Sequence, residues 1–309
     1  MGNLVKENPD YVYRINKSID FIDQNIFEKL CLDELSEVAN FSKYHFNRVF
    51  AAFMGETPFQ YILRLRLEKA ANYIKNNHYH SVTEVAYNSG FTDLAIFSRN
   101  FKRHFGMPPS KFKHSKFSNF SQIHSNKSKD FADSEIYFCS IDNKLKWKTK
   151  MELNKQIEIK DFVNQSVAYV RNIGPWNGDK KNYTKLRDKL FAWAAKEQIL
   201  NKEETKYLIV YHDNPHFSDS EKLRMSMCLT IEKGMKVEGE IGKMEIKSGK
   251  YVVARFELTS NDYVNAWQWL FNDWIKANSL EIDQKPYFEL YVQPPIDNKF
   301  LVDFYVPIK

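Results

Sequence analysis

Cysteine is scarce: Cys31, Cys139 and Cys228 are the only three in 309 residues. Their odd number and wide spacing exclude a disulfide framework and a zinc-ligand pair, and fit a reducing, cytoplasmic compartment. No run approaches the roughly 18 apolar residues of a membrane helix. The opening MGNLVKENPDYVYR has no apolar signal core, and Lys6 stands where a myristoylation motif needs Ser or Thr after Gly2. No membrane association is therefore expected. There is no phosphate-binding glycine loop, no G-x-S-x-G elbow and no Cys–His arrangement tied to a motif. No cofactor and no catalytic residue is expected. Pro215 interrupts His212-Asp213-x-x-His216, and the other histidines do not cluster, so no metal is expected either.

Aromatic residues are plentiful, with 24 Phe, 17 Tyr and 6 Trp. That supply, with 43% apolar residues, is enough for real cores. Charge is unevenly placed. Residues 1–116 carry a net +4, residues 117–150 a net +2 and residues 151–309 none. The positive excess in the first half suits a polyanionic partner.

Residues 11–115 read as helix, with apolar residues at three- and four-residue steps such as Ile15, Ile19, Ile22 and Ile26. Ser18, Asp33 and Ser42 offer caps. Residues 116–150 are rich in Ser, Asn and Lys without a steady period and read as a linker. From 151 onward, alternating runs such as SVAYVRN, YLIVYHD and YVVARFEL predict strands, and helices are expected near 180–199 and 262–278.

Both halves are internally duplicated. Phe46-Asn47-Arg48-Val49-Phe50 matches Phe97-Ser98-Arg99-Asn100-Phe101 at an offset of 51, as do Gly55 with Gly106 and Pro58 with Pro109. Tyr207, Tyr211 and Pro215 match Tyr287, Tyr291 and Pro295 at an offset of 80. Each unit of the first half predicts a short helix, a turn and a second helix, 32–39 with 42–53 and 81–88 with 93–105. This is the helix-turn-helix plan, whose second helix enters the major groove. A connecting helix over 58–77, roughly 30 Å long at 1.5 Å per residue, places two readers about one turn of double-stranded DNA apart.

The string Gly90-Phe91-Thr92-Asp93, Phe97-Ser98-Arg99-x-Phe101-Lys102, Gly106-x-Pro108-Pro109-x-x-Phe112 resembles the paired helix-turn-helix module of AraC/XylS-type bacterial transcription regulators. Phe46-x-Arg48-x-Phe50, Gly55, Pro58 and Arg66-Leu67-x-x-Ala70 extend the likeness into the first unit. The resemblance implies DNA contact for Tyr44, Asn47, Arg48, Ala95, Ser98 and Arg99. Arginine can bind guanine and asparagine adenine in bidentate fashion. Arg48 and Arg99 retain a second reading, burial against an acid of their own unit. Lys43, Lys102, Arg103, Lys111 and Lys113 are expected to meet phosphates as a group. Leu94 and Ala95 replace polar residues usual in the family, leaving room for apolar contact with thymine methyls. Ser36 and Lys113 also depart from the pattern.

In the second half, Arg171-Asn172-Ile173-Gly174-Pro175-Trp176, Tyr211-His212-Asp213-Asn214-Pro215 and Tyr287-Phe288-Glu289-Leu290-Tyr291 resemble the GyrI-like small-molecule-binding domain, with the domain order of Rob-type regulators. The expected architecture is an all-α double helix-turn-helix domain over 1–115, a linker over 116–150, and an α+β domain of twice-repeated strand–helix–strand–strand over 151–309. By the strand period of two, Tyr287, Glu289 and Tyr291 share one face, as Tyr207, Ile209 and Tyr211 do in the first repeat. Glutamate has thus replaced isoleucine between two tyrosines. The alternatives are a wet strand face and an aromatic cleft whose carboxylate attracts an organic cation; the resemblance implies the cleft. Trp176 either rims this cleft or covers the core, and Trp269 faces the cleft or solvent. Tyr263, Trp267, Leu270 and Trp274 form one stripe and are expected in the core.

The whole predicts a ligand-sensing transcription regulator, not an enzyme, that also engages RNA polymerase. A GyrI-like hydrolase or ligand sequestrant with a DNA-targeting module is the alternative.

Overall fold

The computed structural model describes residues 8–76, 80–115, 136–139, 144–147, 154–175, 180–200, 202 and 204–309. Seven helices come first: α1 Pro9–Gln24, α2 Leu32–Val38, α3 Lys43–Met54, α4 Pro58–Asn76, α5 Val82–Asn88, α6 Leu94–Phe105 and α7 Pro109–His114. The caps explain the boundaries. The Asn8 side chain accepts from the backbone of Asp10 and Tyr11 at the start of α1. Ser81 and Glu84 form a reciprocal capping box on α5. Of the expected caps, Ser42 stands at the start of α3. Ser18 instead lies inside α1 and donates to the Ile15 carbonyl at 2.7 Å, while Asp33 lies within the first turn of α2.

The duplication is visible in the backbone. Gly55 and Gly106 both end a reading helix in the left-handed region, at φ 73° and 74°. Gly90 is required for a second reason. At φ 79° any Cβ would fall 2.8 Å from the Phe27 carbonyl oxygen. Arg66 fixes this close approach by donating to the carbonyls of Ile26, Glu28 and Gly90 at 2.7, 2.5 and 2.9 Å. Two cores result, one around Phe46, Phe50 and Tyr61 and one around Phe97, Phe101 and Phe112, with α4 contributing to both.

Within the segment read as linker, Ile136–Cys139 (β1) and Lys144–Trp147 (β2) pair as an antiparallel ladder; its other residues lie outside those described. The second half builds an eight-stranded antiparallel sheet from β3 Asn154–Phe162, β4 Gln165–Ile173, β5 Tyr207–Tyr211, β6 Arg224–Thr230, β7 Gly242–Ile246, β8 Gly249–Leu258, β9 Tyr287–Tyr291 and β10 Phe300–Ile308. Its order is β3-β8-β10-β9-β5-β6-β4-β7. The arrangement is pseudo-symmetric, because β4, β5 and β6 mirror β8, β9 and β10 across the β5–β9 pairing. Helix α8 Lys180–Lys196 belongs to the first repeat. In the second repeat α9 Tyr263–Gln268 runs into a π-helical segment, Trp269–Ile275. Strand β7, which no alternating run predicted, closes one edge beside β4.

One face of the sheet carries the cores beneath α8 and α9. The opposite face meets the helical half through buried polar groups. Arg224, 1% exposed, holds Asp213 bidentately at 2.6 and 2.8 Å, Asp23 of α1 at 2.9 Å and the Tyr61 hydroxyl of α4 at 2.5 Å. Arg171 reaches Asp20 of α1 at 2.7 Å, and Tyr169 donates to the same carboxylate at 2.5 Å. On α4, Glu68 accepts from Ser218 at 2.7 Å and Asn72 from Asn214 at 2.8 Å, and just before it Glu56 accepts from Lys222 at 3.0 Å. Phe217 packs into the second helical core.

Burial disfavours the Asp213 carboxylate, yet the charge of Arg224 and its hydrogen bonds hold Asp213 below the usual carboxylate range. Breaking one side of such a buried pair leaves an uncompensated charge. Arg224→Ala is therefore expected to cost about 3–5 kcal/mol, read by urea denaturation of the full chain. A loss below about 1 kcal/mol would mean that Asp213 finds solvent or another partner.

Candidate nucleic-acid interface and ligand cleft

Helices α3 and α6 each bury one stripe and expose the other. Phe46, Val49, Phe50 and Phe53 are buried on α3, and Phe97, Phe101 and Phe105 on α6. On the free side of α3 lie Lys43, Tyr44, Asn47 and Arg48, with Tyr44 78% exposed. The Arg48 guanidinium sits 5.9 Å from the Tyr44 ring centre. On α6 Ala95 and Arg99 are exposed and Ser98 is half-buried. Both arginines thus stand on the open side of their helices, not buried within their units.

Leu94 packs against the second core. Ile96, which sequence reasoning passed over, is the apolar side chain presented there, at 49% exposure. Lys43 also pairs with Asp33 at 2.5 Å. Lys111 is exposed, while Lys113 is half-buried and donates to the His80 carbonyl at 3.2 Å.

The second site lies on the helix-covered face of the sheet. The β5–β9 register sets Tyr207 opposite Tyr291, Ile209 opposite Glu289 and Tyr211 opposite Tyr287. Glu289 is 1% exposed. Its Oε2 accepts from the Tyr291 hydroxyl at 3.1 Å, and Tyr211 adds a further hydrogen bond. The third donor is Trp267, whose Nε1 lies 2.8 Å from Oε1. Trp267 stacks on Phe304 with ring centres 4.1 Å apart and packs beside Phe271 and Tyr287 at 5.5 and 5.6 Å. The Tyr183 and Tyr207 hydroxyls meet at 3.3 Å, and the Tyr207 and Tyr291 rings at 5.2 Å.

Glu289 is therefore a carboxyl inside an aromatic cage. Among the described residues, no lysine or arginine forms an ion pair with it. Burial pushes its pKa up to about 7, against the lowering effect of the Trp267, Tyr211 and Tyr291 hydrogen bonds. Chemically, this is a proton-holding group that takes up negative charge when a positive partner enters.

Of the residues expected at the cleft, Tyr207, Tyr211, Tyr287 and Tyr291 do gather around Glu289. Trp176 lies outside the described residues. Trp269 rests edge-on against Phe256 of the second-repeat core, 5.8 Å away. Trp267 packs on the second-repeat core as its stripe predicts, and its indole N–H also reaches Glu289. Among the described residues, no group of three or more His, Cys, Asp or Glu side chains is placed to hold a metal ion. No helix of the described residues is long and apolar enough to cross a membrane.

Comparison with known proteins adds two family matches: GyrI-like small molecule binding domains over residues 155–309 and helix-turn-helix domains over residues 35–115. The DNA gyrase inhibitor of Escherichia coli (strain K12) is 29% identical over 157 residues, covering 49% of this chain and 96% of that protein. The DNA gyrase inhibitor of Citrobacter rodentium (strain ICC168) is 30% identical over 138 residues, covering 44% and 84%. Among solved structures, the EcmrR C-terminal domain is similar over 50% of this chain and 97% of its own, at a TM-score of 0.42 and 18% identity. The AdpA DNA-binding domain in complex with a target DNA is similar over 37% and 97%, at a TM-score of 0.31 and 20% identity.

The Glu289 environment has a measurable consequence. A carboxyl whose pKa is raised on folding holds its proton more tightly in the folded chain. Its contribution is most favourable below the ordinary value of 4.5 and is lost as pH rises to about 7. Glu289→Gln is expected to gain on the order of 3 kcal/mol relative to wild type between pH 5 and pH 8. Paired denaturation curves at the two pH values check this; equal differences at both would show that Glu289 titrates normally.

Proposed function

Because this chain belongs to the GyrI-like small-molecule-binding family and carries an AraC-type helix-turn-helix reader, we propose that it is a cytoplasmic transcription regulator whose cleft senses organic cations. DNA binding by the first half and ligand binding by the second follow from the two families. The ligand class, the contact residues, RNA polymerase as a further partner and the domain limits 1–115, 116–150 and 151–309 are the reading proposed here.

One observation carries the ligand class: Glu289 is a buried carboxyl ringed by tyrosines and tryptophan and lacking a cationic partner among the described residues. A bulky organic cation supplies the missing charge, and the rings add cation–π attraction, worth about 2 kcal/mol when desolvated. Entry replaces the Trp267 indole donor by the ligand's charge. The ligand leaves unchanged, because the role of the cleft is recognition and not turnover.

Binding of a cation then requires the ionised carboxylate. Affinity for a matched cation is expected to rise as pH increases through about 7 and to level off above it. A neutral analogue shows no such dependence, and Glu289→Gln removes it. Calorimetry of the full chain across pH 6 to 8 makes the test. Equal losses for cationic and neutral ligands would sink the electrostatic role, and conversion of the ligand during titration would favour a hydrolase.

On the reader, α3 and α6 stand at opposite ends of α4, whose 19 residues span roughly 28 Å at 1.5 Å per residue, close to the ~34 Å turn of B-DNA. Asn47→Ala and Ser98→Ala should each relax base preference at one subsite by about 1–3 kcal/mol. Replacing Lys111 and Lys113 should weaken all sequences alike and flatten the salt slope. Quantitative gel shifts at several salt concentrations separate the two effects, and the opposite pattern would reverse the assignment of faces.

A further inference from the structure

The two reading helices are copies at an offset of 51, so each position of α6 has a counterpart on α3. Tyr44 corresponds to Ala95, His45 to Ile96, Asn47 to Ser98 and Arg48 to Arg99. The first four are three polar side chains and a half-buried histidine. His45 is covered edge-on by Tyr11 and Phe41, with ring centres 5.8 and 4.9 Å away, and meets the Tyr11 hydroxyl at 3.3 Å.

The copy has lost that cover. Thr92 stands at the position of Phe41, and the isoleucine in place of histidine is 49% exposed. Nor do its polar neighbours crowd it. The Asn100 amide donates to the Ile96 carbonyl at 2.9 Å, and its side-chain oxygen accepts from Arg103 at 2.7 Å. The first turn of α6 is fixed by Asp93, which accepts from the Ile96 backbone at 2.8 Å. An apolar pair, Ala95 and Ile96, therefore occupies the base-facing start of a helix whose last turn carries Lys102, Arg103 and His104. The basic end suits phosphates, and the apolar start suits the apolar group that the major groove displays, the thymine 5-methyl.

Resting on the DNA-reading role above, we propose that Ile96, with Ala95 beside it, makes the second reader select thymine through its 5-methyl group, while the first reader works through polar contacts.

The test starts from duplexes enriched by the full chain from a randomised pool. The second subsite is the one whose base preference disappears in Arg99→Ala. Each thymine is then replaced by deoxyuridine, which removes only the methyl group, and affinity is measured at constant salt. One or two replacements in the second subsite are expected to weaken wild-type binding about three- to tenfold, in keeping with the loss of roughly one buried methyl. Ile96→Ala should bind the thymine duplex more weakly and be indifferent to the same replacements.

Less than twofold change at every thymine of that subsite overturns the proposal. So does Ile96→Ala if it keeps the full deoxyuridine effect, or if it lowers transcription alone, which would assign the side chain to a protein partner. Failure to enrich any duplex is a different result, which removes the DNA-reading role itself and the proposal with it. Because the deoxyuridine series uses wild-type protein, it does not depend on a variant folding.

Discussion

A guanidinium buried between two domains constrains everything around it. Arg224 cannot lie in an apolar interior unless carboxylates meet it, and those carboxylates come from both halves: Asp213 from its own domain and Asp23 from α1 of the reader. Nearby, Arg171 and Tyr169 make the same demand of Asp20. Burial raises the Asp20 pKa despite the charge of Arg171 beside it. These groups are satisfied only when helix and sheet are together, so the docked arrangement is specific in orientation. The apolar contacts of Ile173 and Phe217 with the two helical cores add area but little direction.

The strand period of two then divides labour across the sheet. On β9, Tyr287, Glu289 and Tyr291 face the helices and the cleft, while Phe288 faces the other side. On β4 and β6, Arg171 and Arg224 face the reader, while Val170, Met225 and Met227 face the core beneath α8. The Glu289 cage and the docking surface are thus on opposite faces of one thin layer. Among the described residues, Tyr287 links the two. Tyr287, packed against Trp267, donates from its hydroxyl to the Asp213 carbonyl at 3.4 Å, and the Asp213 carboxylate holds Arg224. Trp267 is therefore three contacts away from Arg224, the residue that grips the helical half. This contiguity gives a physical route for coupling; the coupling energy itself is a separate quantity.

Much of this was legible in the sequence. Apolar periodicity and glycine–proline punctuation located α2 to α6 nearly to the residue, because each repeat carries its own local signals. The face shared by Tyr287, Glu289 and Tyr291 followed from alternation alone. The docking network was not legible. Asp20, Asp23, Arg171 and Arg224 lie far apart in the chain, and a charged residue in a strand or helix reads as solvated until its partner is known. The stripe of Tyr263, Trp267, Leu270 and Trp274 does pack on the second-repeat core, with Leu270 buried and the three rings half-buried against it. Periodicity alone does not reveal that the Trp267 indole N–H is also aimed at the Glu289 carboxylate, a long-range partner.

The signal that would have found Trp267 is the duplication itself. Trp193 and Trp274 align at an offset of 81, and at that offset Trp267 falls on Leu186, a half-buried residue of the first-repeat core. Leucine has become a hydrogen-bond donor on the helix just where isoleucine has become a carboxylate on the strand. With the tryptophan alone the indole N–H would lose its acceptor, and with the glutamate alone the carboxyl would keep only its Tyr211 and Tyr291 donors; together they satisfy one another. The reader follows the same logic, with Phe41 and His45 of the first unit replaced by Thr92 and Ile96 in the second. What two copies share holds the fold, since it must fill the same core twice. Where they differ in concert, the shared packing requirement has been relaxed, and in both halves of this chain those places coincide with the surfaces proposed to meet DNA and ligand.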